Sequence, residues 1–322
     1  MKHVFVIHSH TTFLIALSAI EKERIKVNNV LLLYCRNYSN KTVDIPYNTI
    51  EANVLYSYLY KFVIDYRFSP FRQIKYNKLV DEFVRDIVRD SYELYIPHTN
   101  YPFFQVLATN PLCRGVNLIQ EGASTFLEDK FSWKIRLSNV LTFFNKRVWF
   151  QESWLIPSFL VNKMHNTYAI RDSFFSKIKC KDHVIVSFPS IKVNINIDTN
   201  KPIYIMEASA EHEAIKTEVF LEGCKYMIDK THEDLNYIKF HPDQSKENRA
   251  KILSFFEKTK IVVLPMDIPF EMIMSSYKNL KIYGFTSSLL YFAQDLGHEV
   301  HSYKDYLTER SEKFKNYVAK MS

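Results

Sequence analysis

The sequence predicts an α/β protein in which two Rossmann-like domains face a central cleft. Short apolar runs alternate with longer amphipathic segments along most of the chain, which is typical of strands alternating with helices. The alternation occurs in two series, and the polar, Asn-rich stretch Lys192–Lys201 is the best candidate for the boundary between them. A length of 322 residues also favours two domains, since most domains contain roughly 100–200 residues.

The first series predicts a domain over residues 1–190. Its apolar runs indicate buried strands, and a helix that Thr11 or Thr12 caps follows the first of them. The predicted strands are Val4–His8, Asn29–Cys35, Tyr92–Pro97 and Val116–Gln120, and the predicted helices extend to Arg24 and over Leu59–Ile64 and Tyr76–Arg89. Residues 131–180 are aromatic and basic, and their less regular pattern predicts only helices and a linker.

The second series starts near His183 and predicts a domain over residues 191–303. Residues 304–322 are expected to form a C-terminal helix that packs back on the first domain. The predicted strands are His183–Phe188, Ile203–Met206, Tyr237–His241, Ile261–Pro265, Lys281–Phe285 and Glu299–Tyr303. The predicted helices are Glu211–Asp229, Lys246–Lys258, Pro269–Ser276, Ser287–Leu296 (closed by Gly297) and a terminal helix from Tyr306.

Glycine is scarce, with five residues in 322 where average usage is about 7%. The sequence contains no G-x-G-x-x-G and no G-x-x-x-x-G-K-[ST] motif, which argues against dinucleotide-binding dehydrogenases and P-loop NTPases. H-E-x-x-H and G-x-S-x-G are also absent, which argues against zinc proteases and α/β-hydrolases. A phosphate site in this chain must therefore use side chains and helix ends.

The charge balance is mildly basic, with 42 Lys and Arg against 35 Asp and Glu and a net charge of +7. This bias suits anionic ligands or a negatively charged membrane surface, and it lacks the single basic stripe that would indicate nucleic acid. Four scattered cysteines without a C-x-x-C motif predict reduced thiols. No stretch approaches the roughly 20 apolar residues of a membrane-spanning helix. We therefore expect a cytoplasmic protein that is soluble or attached peripherally to the inner face of the inner membrane.

Polar residues follow the predicted strands at the edge where open parallel sheets bind ligands. Glu121 and Gly122 follow VNLIQ, and Glu121 is a candidate general base because burial can raise a carboxyl pKa. The alternative is a simple turn in which Gly122 supplies a positive φ. His241 and Pro242 follow YIKF, where the imidazole is a candidate donor to a leaving phosphate. The alternative is a loop histidine packed against its neighbours.

Two more groups of polar residues follow strands in the second series. Glu271 lies in the first turn of a helix, where a carboxylate either complements the helix dipole or chelates ribose hydroxyls. Thr286, Ser287 and Ser288 follow KIYGF and form either an anion site or an ordinary helix cap. Because Glu271 follows His241 by 30 residues and Ser287 follows Glu271 by 16, we expect all three sites on adjacent strands.

This combination of short motifs resembles the bacterial sialyltransferases of glycosyltransferase families 52, 80 and 38. Those families share a [D/E][D/E]G motif, an HP motif and an SS motif. The motifs here read Gln120-Glu121-Gly122, His241-Pro242 and Ser287-Ser288, and Phe270-Glu271 also matches the helix entry before SS. The chain departs from the pattern at Gln120, so the base assignment rests on Glu121 alone.

The resemblance implies a GT-B fold and an inverting transfer of sialic acid from CMP-sialic acid to a hydroxyl group. The acceptor would be galactose on a bacterial surface glycan such as lipooligosaccharide, O-antigen or capsule, including lipid-linked forms. Glu121 would take the acceptor proton, and His241 would donate to the departing phosphate. Ser287 and Ser288, with Pro242 and Thr286 nearby, would hold the nucleotide, and Glu271 would bind its ribose. Because no D-x-D motif occurs, we expect transfer that needs no metal or other cofactor.

The end of the first predicted strand carries Ser9, His10 and Thr11, which with Gly122 are candidates to contact the acceptor or the sialyl group. A helix cap is the alternative for these three residues. Three tryptophans either stack on sugar faces or pack in a core: Trp133, Trp149 and Trp154. Two other functions remain open from the sequence, namely a GT-B enzyme that uses another nucleotide sugar and a non-catalytic protein that binds a polyanion.

Overall fold

The computed structural model describes residues 1–40, 43–61, 69–122, 147–148, 158–176, 178–256 and 259–319. The chain divides into two compact units, Met1–Pro189 and Ser190–Ser322, and each contains one parallel β-sheet. Two parallel sheets accompanied by helices confirm the predicted α/β class. No helix within the described ranges is long and apolar enough to span a membrane.

The first unit contains a seven-stranded sheet in the order β3-β2-β1-β4-β5-β6-β7. Its central strands are apolar runs because both of their faces are covered, and every residue of VLLLY in β2 is buried. The strands are β1 (Lys2–Ile7), β2 (Val30–Tyr34), β3 (Asn48–Glu51), β4 (Tyr92–Ile96), β5 (Cys113–Ile119), β6 (Met164–Ala169) and β7 (Asp182–Ile185). The helices are α1 (His10–Lys22), α2 (Asn53–Lys61), α3 (Pro70–Ile87), α4 (Pro102–Thr109) and α5 (Ser158–Val161).

The end of the first sheet corrects one sequence-based assignment. The run His183–Phe188 was expected to open the second series of strands and helices, but β7 pairs in parallel with β6 and closes the first sheet. An apolar run marks a strand without showing which sheet it joins. Strand β6 lies in the stretch for which the sequence predicted only helices and a linker. Helix α4 was also missed, because its residues from Pro102 to Ala108 are all buried and therefore show no amphipathic period.

The second unit contains a five-stranded parallel sheet in the order β10-β9-β8-β11-β12. Its strands agree with the predicted apolar runs to within one or two residues. The strands are β8 (Pro202–Ile205), β9 (Leu235–Lys239), β10 (Lys260–Val263), β11 (Lys281–Gly284) and β12 (Glu299–Ser302). The helices are α6 (Thr217–Thr231), α7 (Lys246–Ser254), α8 (Phe270–Ser276), α9 (Ser288–Asp295), α10 (Lys304–Arg310) and α11 (Glu312–Ala319).

The strand order of the second sheet differs from the expected adjacency of its sites. His241 follows β9 and Glu271 follows β10, and these two strands are neighbours. Ser287 follows β11, however, and β8 lies between β9 and β11. The spacing along the chain indicated that one strand–helix unit separates each pair of sites. It did not indicate where the order of the strands in the sheet reverses. The chain segment after β8 therefore lies at the centre of this sheet's carboxyl edge.

The C-terminal residues belong to the second unit. The predicted terminal helix is divided into α10 and α11, and both Leu307 and Phe314 are fully buried in the core of this unit. Gly223 in α6 makes room for them, since a Cβ there would lie 2.4 Å from Leu307 Cδ2. The expected boundary at residue 304 thus differs from the observed division. Gly297 adopts a φ of 81° directly after α9, as its predicted role at the helix end requires.

Candidate active site

The carboxyl edge of the first sheet brings four polar side chains together. Glu121 follows β5, and three other residues follow the neighbouring strands in the sheet: His98 after β4, His8 after β1 and Arg36 after β2. His8 Nε2 lies 3.3 Å from Glu121 Oε1, and His98 Nε2 lies 3.9 Å from Glu121 Oε2. Arg36 Nη1 lies 3.6 Å from Oε1. We call these four residues the Glu121 cluster.

Burial sets the protonation states in the Glu121 cluster. It raises the pKa of Glu121, and the Arg36 guanidinium opposes this change. It lowers the pKa of His8 to about 3, and it also lowers the pKa of His98 well below the usual value. Both imidazoles are therefore neutral at pH 7, and Arg36 is the cation that faces the carboxylate. A partly exposed carboxyl group with a raised pKa is suited to general base chemistry.

The carboxylate of Glu121 is not held by hydrogen bonds from the part of the chain that the structure describes. His8 Nε2 is close to it but lacks hydrogen-bond geometry. The Glu121 side chain is 25% exposed. Its oxygens are therefore open to a substrate proton. Sequence analysis did not select His8, His98 or Arg36 as site residues. His8 ends a predicted strand, and His98 and Arg36 each directly follow one, which was the signal that selected Glu121.

Gly122 and Gln120 flank the base and have different roles. Gly122 does not have a positive φ, which removes the turn alternative, and no atom lies within 4 Å of a Cβ built there. Gln120 occupies the first acidic position of the sialyltransferase motif. Its side chain is buried and its Oε1 accepts a hydrogen bond of 2.8 Å from the backbone amide of Ile170. Gln120 therefore joins the end of β5 to the end of β6.

The residues after β1 form the start of α1. Ser9 is the N-cap, and its hydroxyl accepts a bond from the Thr12 amide, so the predicted cap at Thr11 or Thr12 is wrong by two or three positions. Thr12 Oγ1 in turn accepts from the amides of His8 and Ser9 at 3.2 and 3.0 Å. This capping box fixes the backbone of His8 beside Glu121. Thr11 is buried, and the His10 ring packs edge-on against Tyr38.

In the second unit, His241 lies at the tip of β9 with its side chain 41% exposed. Its Nδ1 accepts a hydrogen bond of 3.1 Å from the Asp243 amide, so a neutral ring carries its proton on Nε2. Burial lowers the pKa of His241, and Asp243 opposes this effect while His212 adds to it. Arg249 donates to the carbonyls of His241 and Pro242 at 3.0 and 2.9 Å and holds the turn.

Glu207 lies just beyond the central strand β8 and was missed by sequence analysis. It is 7% exposed, and its carboxylate accepts hydrogen bonds from Ser209 Oγ at 2.6 Å and from Thr286 N at 2.9 Å. Thr286 Oγ1 and the Ser287 amide also donate to it. Burial raises the pKa of Glu207 in spite of these bonds. We call this set the Glu207 network.

The Glu207 network changes the expected role of the hydroxyl run after β11. Two amides that were expected to bind phosphate, those of Thr286 and Ser287, already donate to Glu207. Ser287 is the N-cap of α9, and its Oγ accepts from the Leu289 amide at 3.3 Å. Ser288 is the first residue of α9 and is exposed. Of the three hydroxyl residues, Ser288 has the side chain most accessible to a ligand.

Glu271 lies in the first turn of α8, after Pro269 at the N-cap position. Its charge acts on Lys239: burial lowers the pKa of Lys239 to about 8, while Glu271 and Asp267 oppose the change. Lys239 Nζ donates to the carbonyl oxygens of Pro265 and Ile268 and so fixes the loop that leads into α8. The three tryptophans discussed above lie outside the described residues.

Comparisons with known proteins identify the fold. No protein-family model and no curated protein matches the sequence. The solved structure of S. aureus MnaA with UDP has a TM-score of 0.53 and 9% identity over 100% of this chain and 90% of that one. MurG of Acinetobacter baumannii has a TM-score of 0.43 and 12% identity, covering 100% and 91% of the two chains. At such identities only the fold follows, and the chain has the predicted GT-B fold.

Proposed function

We propose that the protein is an inverting, metal-independent sialyltransferase. It moves sialic acid from CMP-sialic acid to a hydroxyl group, on galactose, of a bacterial surface glycan such as lipooligosaccharide, O-antigen or capsule. One observation carries the proposal: the carboxyl edge of each parallel sheet presents one exposed group suited to proton transfer. These groups are Glu121 in the first unit and His241 in the second. The GT-B fold and the resemblance to sialyltransferases support this reaction class.

Glu121 acts as the general base in the proposed reaction. The acceptor hydroxyl loses its proton to the carboxylate as its oxygen bonds to the sialyl carbon. A raised pKa strengthens Glu121 as a base, and Arg36 keeps it ionised near neutral pH. The neutral rings of His8 and His98 exclude water from one side of the carboxylate without neutralising its charge.

His241 assists the departure of CMP. The bond between the sialyl carbon and the phosphate oxygen breaks, and its electron pair stays on the phosphate. The Nε2–H of His241 donates to that oxygen, because Asp243 occupies Nδ1. Because burial lowers the pKa of His241, the ring is neutral near pH 7 and assists by this hydrogen bond. Ser288 binds the same phosphate and Glu271 binds the ribose hydroxyls.

A second donor class has a specific observation in its favour. The solved structure of MnaA, which shares the fold, is a complex with UDP. A UDP-sugar donor therefore competes with CMP-sialic acid in the proposal. Both donors use the same proton transfers at Glu121 and His241, so the choice between them depends on nucleotide recognition alone.

The decisive experiment tests the identity of the donor and the occurrence of sugar transfer independently. The purified protein is incubated with CMP-sialic acid and a panel of galactose-terminated acceptors in the presence of EDTA, and products are identified by mass. We expect sialylated product, and we expect CMP but not UDP to raise the melting temperature. Stabilisation by UDP alone, with transfer from UDP-sugars, would replace the donor assignment. Absence of transfer from every nucleotide sugar would overturn the proposed function.

The variant His241→Ala tests whether His241 assists the departure of CMP. The side chain is partly exposed, so its removal should leave the fold intact. We expect turnover to fall about 10²–10⁴-fold while the melting temperature changes little. The control variant is His212→Ala, which removes the neighbouring imidazole 5.9 Å from the ring of His241. Equal losses in the two variants would contradict a specific role for His241.

A further inference from the structure

The first unit contains a cavity of about 530 Å³ that lies away from the Glu121 cluster. It is bordered by the start of β1, by side chains of β4, β5 and β6, by the loop that follows α1, and by Lys181 just before β7. Glu121, in contrast, follows the carboxyl end of β5. The cavity therefore opens at the opposite edge of the same parallel sheet, and the proposed transfer reaction uses none of its residues.

A histidine–carboxylate pair, His165 and Glu93, lies in this cavity. His165 Nδ1 is 3.0 Å from Glu93 Oε2, and the two side chains are 42% and 12% exposed. An ionised carboxylate can only accept, so a neutral His165 ring donates from Nδ1 and presents Nε2 as an acceptor. The buried side chain of Asn117 donates to the same carboxylate at 3.2 Å. This arrangement fixes the ring and presents Nε2 for hydrogen bonding.

The backbone around this pair is shaped to accommodate it. Gly115 is one of only five glycines, and a Cβ there would lie 2.2 Å from His165 Nδ1 and 2.4 Å from Glu93 Oε2. The pairing register of β4 with β5 shifts between Tyr92 and Glu93, and that of β5 with β6 shifts beside His165. Such bulges re-aim side chains and occur next to functional sites. Three local irregularities thus coincide at one pair of side chains.

Three cations border the cavity: Arg24, Lys26 and Lys181. None of them has an ion-pair partner in the described part of the chain. Arg24 has a φ of 51°, a left-handed conformation that favours glycine at this position after a helix. With Glu93 and Glu23 as the lining carboxylates, the cations outnumber the anions by three to two. The lining therefore favours an anionic group.

Several side chains that line the cavity can form hydrogen bonds with hydroxyl groups. Burial raises the pKa values of Tyr95 and Tyr168, so both phenols remain neutral. The Tyr168 hydroxyl donates to Glu23 Oε1 at 3.0 Å. Asn166 Oδ1 is buried at the cavity without a hydrogen-bond partner among the described residues. An acceptor in this condition is unfavourable unless a ligand or water donates to it.

We propose that this cavity is a second ligand site, which binds a small hydroxylated anion of the sugar-phosphate class. The phosphate lies against the cations of Arg24, Lys26 and Lys181. The sugar hydroxyls donate to His165 Nε2 and Asn166 Oδ1. A phosphate alone would not donate hydrogen bonds to the acceptors, and a neutral sugar alone would not pair with the cations. The ligand must therefore combine an anion with hydroxyl groups. The site is independent of the donor nucleotide, which the second unit is proposed to bind.

Calorimetric titration of the full chain tests this proposal with three probes in the presence of saturating CMP: glucose 1-phosphate, inorganic phosphate and glucose. We expect glucose 1-phosphate to bind at least tenfold more tightly than either of its parts. The double variant Lys26→Gln/Lys181→Gln should weaken that binding about tenfold, and Lys22→Gln, which removes an exposed lysine outside the cavity, should not. Equal affinities of the double variant and Lys22→Gln, or no binding of glucose 1-phosphate, would overturn the proposal.

A second variant tests the hydroxyl half of the site. His165→Gln should weaken binding of glucose 1-phosphate about fivefold and leave the affinity for inorganic phosphate unchanged. Because His165 is partly exposed, the melting temperature should change little, and circular dichroism provides the check on folding. Gly115→Ala is the stronger perturbation, since the new Cβ must displace the ring. Unchanged binding of glucose 1-phosphate by folded samples of both variants would remove the His165 pair from the site.

Discussion

Each parallel sheet has a glutamate just beyond its carboxyl edge, and the two glutamates have different surroundings. Burial raises the pKa of both Glu121 and Glu207. Glu207 is 7% exposed and accepts hydrogen bonds from two backbone amides and two hydroxyls. Glu121 is more exposed and lies beside two neutral imidazoles and one guanidinium at 3.3–3.9 Å.

This difference indicates which of the two carboxylates can take part in a reaction. The hydrogen bonds to Glu207 are internal, so the network stabilises the loop that leads into α9 and leaves no oxygen for a substrate. Among the described residues, Arg36 is the one whose charge stabilises the carboxylate of Glu121. A protein keeps a carboxylate in such surroundings at a cost in stability, and the cost is understandable where the group must accept a proton.

Glu121→Gln should have the largest effect. We expect turnover to fall about 10²–10⁴-fold, because the amide cannot accept the acceptor's proton. The melting temperature should stay the same or rise, since the variant removes a poorly stabilised buried charge. Steady-state kinetics and thermal unfolding measured on the same sample test both statements. Full activity would contradict the assignment of the base, and a large loss of stability would contradict the contrast with Glu207.

Glu207→Gln should show the opposite pattern. The amide NH₂ faces donors such as Thr286 N, so at least one buried donor loses its acceptor and the free energy of unfolding falls by about 1–3 kcal/mol. Turnover of the folded enzyme should change less than tenfold. Denaturant titration measures the loss, with Glu222→Gln on the exposed face of α6 as a neutral control. A variant that folds normally but is inactive would show that Glu207, too, acts in the reaction.

The two histidines beside Glu121 predict a pH dependence of stability. Because the folded-state pKa of His8 is about 3, the unfolded chain binds more protons than the folded one between that value and about 6.5. Stability should therefore fall as the pH is lowered through this window, by up to about 1.4 kcal/mol per pH unit for each such histidine. Unfolding measured in the Glu121→Gln background isolates this effect, because Glu121 then no longer titrates. His8→Gln should flatten the slope, and an unchanged slope would contradict the assignment of His8 as a buried neutral ring.

Substitutions of Ser287 and Ser288 should have smaller effects, one on stability and the other on CMP binding. Ser287→Ala removes the cap of α9 and should lower the free energy of unfolding by about 1 kcal/mol. Ser288→Ala should leave stability within about 0.5 kcal/mol of the parent but weaken CMP binding several-fold. Thermal unfolding and calorimetry with CMP distinguish the two. Equal CMP affinities of the parent and Ser288→Ala would remove Ser288 from the nucleotide site.

Local patterns in the sequence predicted the α/β class and most strands, because strand runs such as Val30–Tyr34 are apolar whatever their neighbours. The rule that ligands bind beyond strand ends located Glu121 and His241. The sequence resemblance also predicted the GT-B fold.

What the sequence did not predict depends on contacts between distant segments. The order of strands placed β8 between β9 and β11, which made Glu207 central. The parallel pairing of β1 with β4 brought His8 towards Glu121 across more than a hundred residues of chain. Side-chain partners such as Asp243 for His241 depend on turn geometry that the sequence leaves open.

The packing of Leu307 against Gly223 limits where the chain can be truncated without loss of stability. A truncated protein that ends before Lys304 would retain every strand of the second sheet, yet it would expose the side of α6 that Leu307 and Phe314 cover. Proteolytic nicking just before α10 should therefore be followed by rapid degradation of residues 190–303, and not by accumulation of a stable fragment.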